Sequence, residues 1–198
     1  MVNVAVLVSG GGTNLQALID AEHAGLFPNA RIVLVLSSRA GVKALERAEE
    51  AGIPTTVIAK DDYPEDEARA DAILAALEGA GAGLVVLAGY MSILPVRVCR
   101  AYAGRLINIH PALLPRHGGV GYYGLRVHKA VLEAGDAESG ATVHFVDDRG
   151  VDSGEIIAQA RVPVLPDDTP EALQARVLEV EHRIFPEAVA RLTAKATQ

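Results

Sequence analysis

In Leu106-Ile107-Asn108-Ile109-His110-Pro111, apolar and polar side chains alternate until a proline intervenes. Strand side chains point to opposite faces in turn, so Ile107 and Ile109 face one way and Asn108 and His110 the other. Pro111 cannot extend a central strand, so the ladder is predicted to end where the imidazole appears. An amide and an imidazole on one face, at the carboxyl end of a strand, sit where an open α/β sheet binds its ligands. A strand that merely ends in two polar residues fits the same pattern.

The residues before this stretch follow one rhythm. Val2–Val8 is a nearly continuous apolar run rich in valine, as expected of a strand buried on both faces. Leu15, Leu18 and Ile19 then have helical spacing, ending near Gly25. Strands are predicted at 31–37, 55–58, 84–88 and 106–109. Helices are predicted at 42–51, 64–78 and 95–101, the first with Gly52 at its C-cap and the second with acids in its opening turn. Such alternation predicts an open, mostly parallel twisted sheet with helices on both faces and right-handed crossovers. After His110 the rhythm changes to a glycine-rich loop (111–124), a helix (125–133), two strand-like runs (141–146 and 155–164) and a last amphipathic helix (170–191). An antiparallel departure is therefore expected near the C-terminal end. No repeat, low-complexity tract or linker interrupts residues 1–198, so a single domain is expected.

Composition narrows the function classes. Half of the 198 residues are hydrophobic but only 4% are aromatic, so Val, Leu, Ile and Ala must build the core. A net charge of -7 argues against nonspecific nucleic-acid binding, which needs a basic surface. No run approaches the roughly 18 apolar residues of a membrane span. The N-terminus shows no cationic leader, and the single Cys99 fits a reducing compartment. A cytoplasmic protein without nucleic-acid or membrane partners is expected. The six histidines show neither a metal-ligand spacing nor a nearby cysteine ligand, so no metal is expected. There is no Gly-x-Ser-x-Gly elbow. Cys99 reads as packing, and His144, flanked by Val143 and Phe145, as a strand histidine satisfied by a neighbour.

Three other stretches bear on chemistry. Ser9-Gly10-Gly11-Gly12-Thr13-Asn14 joins the first strand to the first helix. Its bare backbone and the free N–H groups of a helix start suit a phosphate better than a simple turn, which one glycine would serve. It is not a dinucleotide fingerprint, because position 15 is leucine and Ser37-Ser38-Arg39 offers no acid to a ribose. Nor is it a Walker loop. Tyr90, Met91, Ser92, Ile93 and Leu94 leave the fourth strand as a loop that either supports a flat apolar ligand or plugs the next helix. Asp147 to Gly154 is acidic and turn-rich. It does not match a calcium loop, and a surface turn is its simpler reading.

Several motifs together resemble the glycinamide ribonucleotide formyltransferase family of purine biosynthesis. They are Ser9-Gly-Gly-Gly-Thr-Asn-Leu-Gln16, Leu87-Ala-Gly-Tyr-Met91, Asn108-Ile-His-Pro-Ala-Leu-Leu-Pro115, Gly140-Ala-Thr-Val-His-Phe-Val146, Asp152-Ser-Gly154 and Glu181-His182. The likeness extends from residue 2 to about residue 186. It implies a Rossmann-like formyltransferase fold and transfer of the formyl group of 10-formyltetrahydrofolate, as co-substrate, to the amine of glycinamide ribonucleotide, without a metal. It further implies that Asn108 and His110 donate to an oxyanion while Asp152 pairs with His110. Gly11, Gly12, Thr13 and Asn14 would hold the substrate phosphate, and Glu181 its ribose or amide side. Residues 90–94, with Asn108 and the backbone near 146–150, would cradle the pterin.

There are departures. The segment from His144 to Asp152 is one residue longer than the pattern, leaving Asp147 and Asp148 as alternative acids. An arginine near the substrate phosphate is replaced by Asp66, with Arg69 one turn on as the expected substitute. Ser92 stands where some members have arginine. The loop 116–123 is longer and is expected to move on ligand binding. A methionyl-tRNA formyltransferase would need a further nucleic-acid-binding domain, and a formyltetrahydrofolate hydrolase an N-terminal regulatory segment, neither of which is expected here. A noncatalytic nucleotide-binding module is the alternative from outside the enzymes. Monomer and homodimer are both compatible with the sequence.

Overall fold

The computed structural model describes residues 1–195. Seven strands form one sheet: β1 (Val2–Val8), β2 (Ala30–Ser37), β3 (Thr55–Val57), β4 (Leu84–Leu87), β5 (Leu106–His110), β6 (Glu138–Phe145) and β7 (Ile156–Pro163). Their order across the sheet is β3-β2-β1-β4-β5-β6-β7. The pairs from β3 through β5 are parallel, whereas β6 runs antiparallel to both β5 and β7. The predicted C-terminal departure is thus one reversed strand. The strand order turns back on itself between β1 and β4, the switch point at which such sheets open a crevice at their carboxyl edge.

Alternation within β1 fixes which helices lie on which face. Val4, Val6 and Val8 belong to one apolar layer with Leu15 and Leu18 of α1 (Thr13–His23), Ala44 and Ala48 of α2 (Lys43–Glu50) and Phe185. Ala5 and Leu7 belong to the opposite layer with Ile73 and Leu77 of α3 (Asp66–Gly79) and Val98 and Cys99 of α4 (Val96–Ala101). Cys99 is packing, as expected. On the first face α6 (Pro170–Lys195) lies against α1, β6, β7 and α5 (Leu125–Glu133). The Thr169 hydroxyl caps α6 by accepting from the Ala172 N–H.

Two of the boundaries that differ from the sequence reading have a plain physical reason. β5 includes His110, because Thr142 of β6 lies directly opposite it in the ladder. β6 begins at Glu138 rather than 141. Its first residues are Glu-Ser-Gly, which carry no apolar period, yet they pair with Arg161, Val162 and Pro163 of β7. Gly140 is required there, since a Cβ would lie 2.0 Å from the Ala160 carbonyl oxygen.

Candidate active site

The carboxyl ends of β1, β4 and β5 carry three of the four stretches singled out above. At the end of β1, Gly12 has a left-handed backbone (φ 72°), and a Cβ on it would lie 2.7 Å from Ala44 of α2. Glycine is therefore demanded by the fold at position 12. At positions 10 and 11 a Cβ would meet nothing within 4 Å, so the fold makes no such demand and the bare backbone faces open space. Thr13 and Asn14 open α1, whose first turn has no side-chain cap, so its N–H groups are available to an anion. The Ser9 hydroxyl ties the neighbouring strand ends together, 2.5 Å from the Ser38 hydroxyl and accepting from the Met91 N–H at 2.8 Å. The sequence reading gives neither serine a role of its own.

The Asn14 amide donates to Glu181 of α6 at 2.6 Å. Burial pushes the Glu181 carboxyl up to about 7, against the pull of Asn14. A carboxyl raised in this way contributes stability below its ordinary value of 4.5 that is lost as the pH rises through about 7. Asn14 Oδ1 is buried without a partner. Glu181→Gln removes the charge and can offer that oxygen an N–H. The variant is expected to be more stable than its parent by up to about 3 kcal/mol at about pH 8, and equally stable at about pH 4. Urea melts at the two pH values check this, and an equal midpoint at the higher pH would contradict it.

The loop after β4 divides its side chains. Leu94 is buried and Tyr90 packs against the second apolar layer, whereas Met91 and Ile93 are 44% and 64% exposed. It is both a plug and an apolar platform. Arg69 does not reach the glycine-rich loop, which corrects the expectation that it replaces the phosphate-side arginine. It is buried beneath this platform, donating to the Ser92 hydroxyl at 2.9 Å, to the Ile93 carbonyl at 2.7 Å and to Asp66 at 3.2 Å. Ser92 is held by a guanidinium that arrives from α3.

At the end of β5 a cluster of polar side chains is nearly closed to solvent. His110 Nε2 lies 2.8 Å from the His117 carbonyl oxygen, so this nitrogen carries the hydrogen and donates. His110 Nδ1 lies 3.3 Å from Asp152 Oδ2, and that oxygen accepts from the Gly119 N–H at 3.0 Å. Asn108 donates to Asp152 Oδ1 at 3.4 Å and its amide nitrogen lies 3.1 Å from His144 Nε2. His144 Nδ1 donates to its neighbour's carbonyl at 2.8 Å, and its Nε2 lies 3.4 Å from Asp152 Oδ1. Burial pushes His110 below its ordinary value, while the Asp152 carboxylate and the His117 carbonyl pull against it. Burial would raise Asp152, but His144, His110 and the Gly119 N–H outweigh it and hold the carboxyl below the usual range.

Asp152 is thus the acid brought to His110. Asp147 is occupied by Arg149 and Asp148 by Arg100, both on the protein surface. In the turn that carries it, Asp152 adopts a left-handed backbone (φ 57°), and Gly154 packs against β6, where a Cβ would lie 1.7 Å from the Phe145 carbonyl oxygen. His144, read from sequence as a strand residue satisfied by a neighbour, belongs to the cluster. It lies opposite Asn108 in the β5–β6 ladder, and residues directly opposite share a face. Its alternation with Val143 and Phe145 was the available signal, but it required knowing that β6 pairs with β5. Among the described residues no group of three or more His, Cys, Asp or Glu side chains is placed to hold a metal, and no helix is long and apolar enough to cross a membrane.

The chain matches the formyl transferase family over residues 2–189 and belongs to that family. It is 44% identical over 186 residues to the phosphoribosylglycinamide formyltransferase of Haemophilus influenzae, covering 94% of this chain and 84% of the relative. It is 50% identical over 196 residues to the trifunctional purine biosynthetic protein adenosine-3 of Drosophila pseudoobscura pseudoobscura, covering 98% of this chain but only 14% of that much longer protein. The crystal structure of glycinamide ribonucleotide transformylase 1 from Symbiobacterium toebii superimposes with a TM-score of 0.92 at 42% identity, covering 98% of this chain and 89% of that one.

Proposed function

We propose that this protein transfers the formyl group of 10-formyltetrahydrofolate to the amine of glycinamide ribonucleotide, giving formylglycinamide ribonucleotide and tetrahydrofolate in de novo purine biosynthesis. The observation that carries the proposal is the buried pairing of His110 with Asp152, beside Asn108 at the end of β5. The amine nitrogen attacks the formyl carbon, and the carbonyl electron pair moves onto oxygen. His110 Nε2–H donates to that oxygen, and the Asn108 amide does so once one of its hydrogens leaves its contact with Asp152 or His144, interactions that strengthen as the charge develops. With Nε2 protonated, Nδ1 faces Asp152 as a lone pair until it takes up a proton. Asp152 favours the imidazolium and so assists movement of the amine proton toward the folate nitrogen, through water. The oxygen's electron pair then re-forms the carbonyl, the bond from the formyl carbon to the folate nitrogen breaks, and that nitrogen leaves protonated.

Gly11, Gly12, Thr13 and Asn14 hold the substrate phosphate in this reading, and Glu181 its ribose or amide side. Met91 and Ile93 offer the pterin a flat apolar surface, with Tyr90, Ser92 and Leu94 supporting the loop from below. The exposed apolar side chains there suit a ring of that kind. The His117 carbonyl oxygen stands where the oxyanion would stand, 2.8 Å from Nε2, and Gly119 occupies Asp152. Turnover therefore requires residues 117–119 to withdraw. The protein acts as a single formyltransferase domain of the cytoplasm, monomer or homodimer, with small-molecule partners only and no metal. Mixing it with both substrates and following loss of the formyl folate by absorbance tests the proposal. Turnover without ATP is expected, and none by a folded sample would contradict it.

A further inference from the structure

We infer that Asp136 is the latch of a self-inhibited resting state, holding residues 116–119 over the catalytic cluster until the formyl donor displaces them; the inference rests on the formyl-transfer reading above. Asp136 stands on rigid ground. It belongs to the cap of α5, where Gly135 takes a left-handed backbone (φ 67°) and the Gly135 and Asp136 N–H groups donate to the Leu132 and Val131 carbonyls. From there its carboxylate accepts from two adjacent residues of the loop. Arg116 Nη2 lies 2.5 Å from Oδ1, and His117 Nε2 donates to Oδ2 at 2.6 Å. Both bonds are short, as charge-assisted bonds are, and the Asp136 side chain is only 9% exposed. The bond from His117 outweighs burial and, with the Arg116 charge, holds the Asp136 carboxyl below its ordinary value.

The residue held by its ring is the one whose carbonyl covers His110. Outside glycine, His117 (φ 53°) and Asp152 are the only described residues with a left-handed backbone. A residue with a side chain keeps that conformation only where its surroundings hold it. For His117 these are Asp136 at the ring and His110 at the carbonyl, and Gly119 adds its N–H to Asp152. Among the described residues, the hydrogen bonds and ion pairs that tie residues 116–121 to anything outside the loop therefore go to two places, the catalytic pair and Asp136. The donor competes for the first set, because its formyl oxygen takes the place of the His117 carbonyl. It does not compete for the second, so the Asp136 bonds add to the stability of the closed loop alone. A donor that binds only the open form has its apparent affinity reduced by the open fraction.

The test compares Asp136→Ala and Arg116→Ala with the parent. For Asp136→Ala we expect KM for the formyl donor to fall about threefold or more with kcat within about twofold of the parent's, and for Arg116→Ala a smaller fall in the same direction. Without substrates, the Gly119 amide is protected by Asp152 only while the loop is closed, so in Asp136→Ala its hydrogen exchange, followed by NMR, should quicken by a similar factor. Alanine keeps the backbone N–H that caps α5, and the Arg116 side chain is 65% exposed, so Arg116→Ala carries the same two readouts should Asp136→Ala fail to fold. A residue that merely supports the site would lower kcat or raise KM when removed. Either of those results, an unchanged KM for the donor, or Gly119 exchange at the parent's rate would overturn the inference. Absence of turnover by the parent would remove the formyl-transfer reading, and Gly119 exchange would still decide for or against the latch.

Discussion

Replacing His110 with alanine is expected to lower kcat by about 10³- to 10⁴-fold while leaving KM for both substrates within a few-fold of the parent's. The imidazole has two tasks in the proposed reaction. It donates from Nε2 to the oxygen that becomes negative, and it receives at Nδ1 a proton that Asp152 stabilises. Loss of one oxyanion donor costs about 10²–10³, and loss of the proton route costs a further amount that does not simply add, because both act through one ring. The fold should survive. His110 is the last residue of β5, and its strand pairing is made by backbone groups that alanine keeps. Asp152 retains the Asn108 and Gly119 donors. Single-turnover rates and a thermal melt check the expectation, and a variant that folds and turns over within tenfold of the parent would contradict it.

Asp152→Asn is expected to cost about 10²–10³ in kcat and to move the acid limb of the pH profile. The sign follows from the contacts. Burial already lowers His110 and the Asp152 carboxylate opposes it, so removing that charge lowers the imidazole further and displaces the limb to lower pH. The amide is also poorly matched to its surroundings. Both oxygens of Asp152 are acceptors here, toward Asn108 on one side and Gly119 on the other, so an NH₂ in either place sets donor against donor. Substitutions of Asp147 and Asp148, each engaged by a surface arginine, should change kcat by less than about twofold. The pH dependence of kcat for the three variants distinguishes the acids. Full activity in Asp152→Asn with loss in either of the others would reverse the assignment.

Much of the fold was legible because the parallel strands announce themselves. Residues 4–8 of β1 and the run ending at Leu87 are buried on both faces, and continuous apolar sequence is what that burial requires. Helix α5 coincides with its predicted span for a similar reason, one apolar stripe being carried by Val127 and Val131. The start of β6 was not legible, since its Glu-Ser-Gly opening is stabilised by pairing with β7 rather than by apolar side chains of its own. The site divides in the same way. Asn108 and His110 share a face by strand alternation within one segment, so five residues sufficed to couple them. His144 and Arg69 join their partners across 36 and 23 residues of chain, through sheet pairing or helix packing that no local period encodes. The contacts of His117 and Gly119 with the cluster are likewise set by how a glycine-rich loop folds back, which its composition leaves free.

The most direct test follows the formyl carbon itself. The protein is mixed in excess with 10-formyltetrahydrofolate labelled in the formyl group and with glycinamide ribonucleotide, and the products of one turnover are separated. The label is expected in the N-formyl group of the ribonucleotide with tetrahydrofolate released in equal amount, and this transfer should be lost in His110→Ala. Label recovered as free formate, or transfer that persists in His110→Ala, would contradict the assignment of this cluster as a formyl-transfer centre.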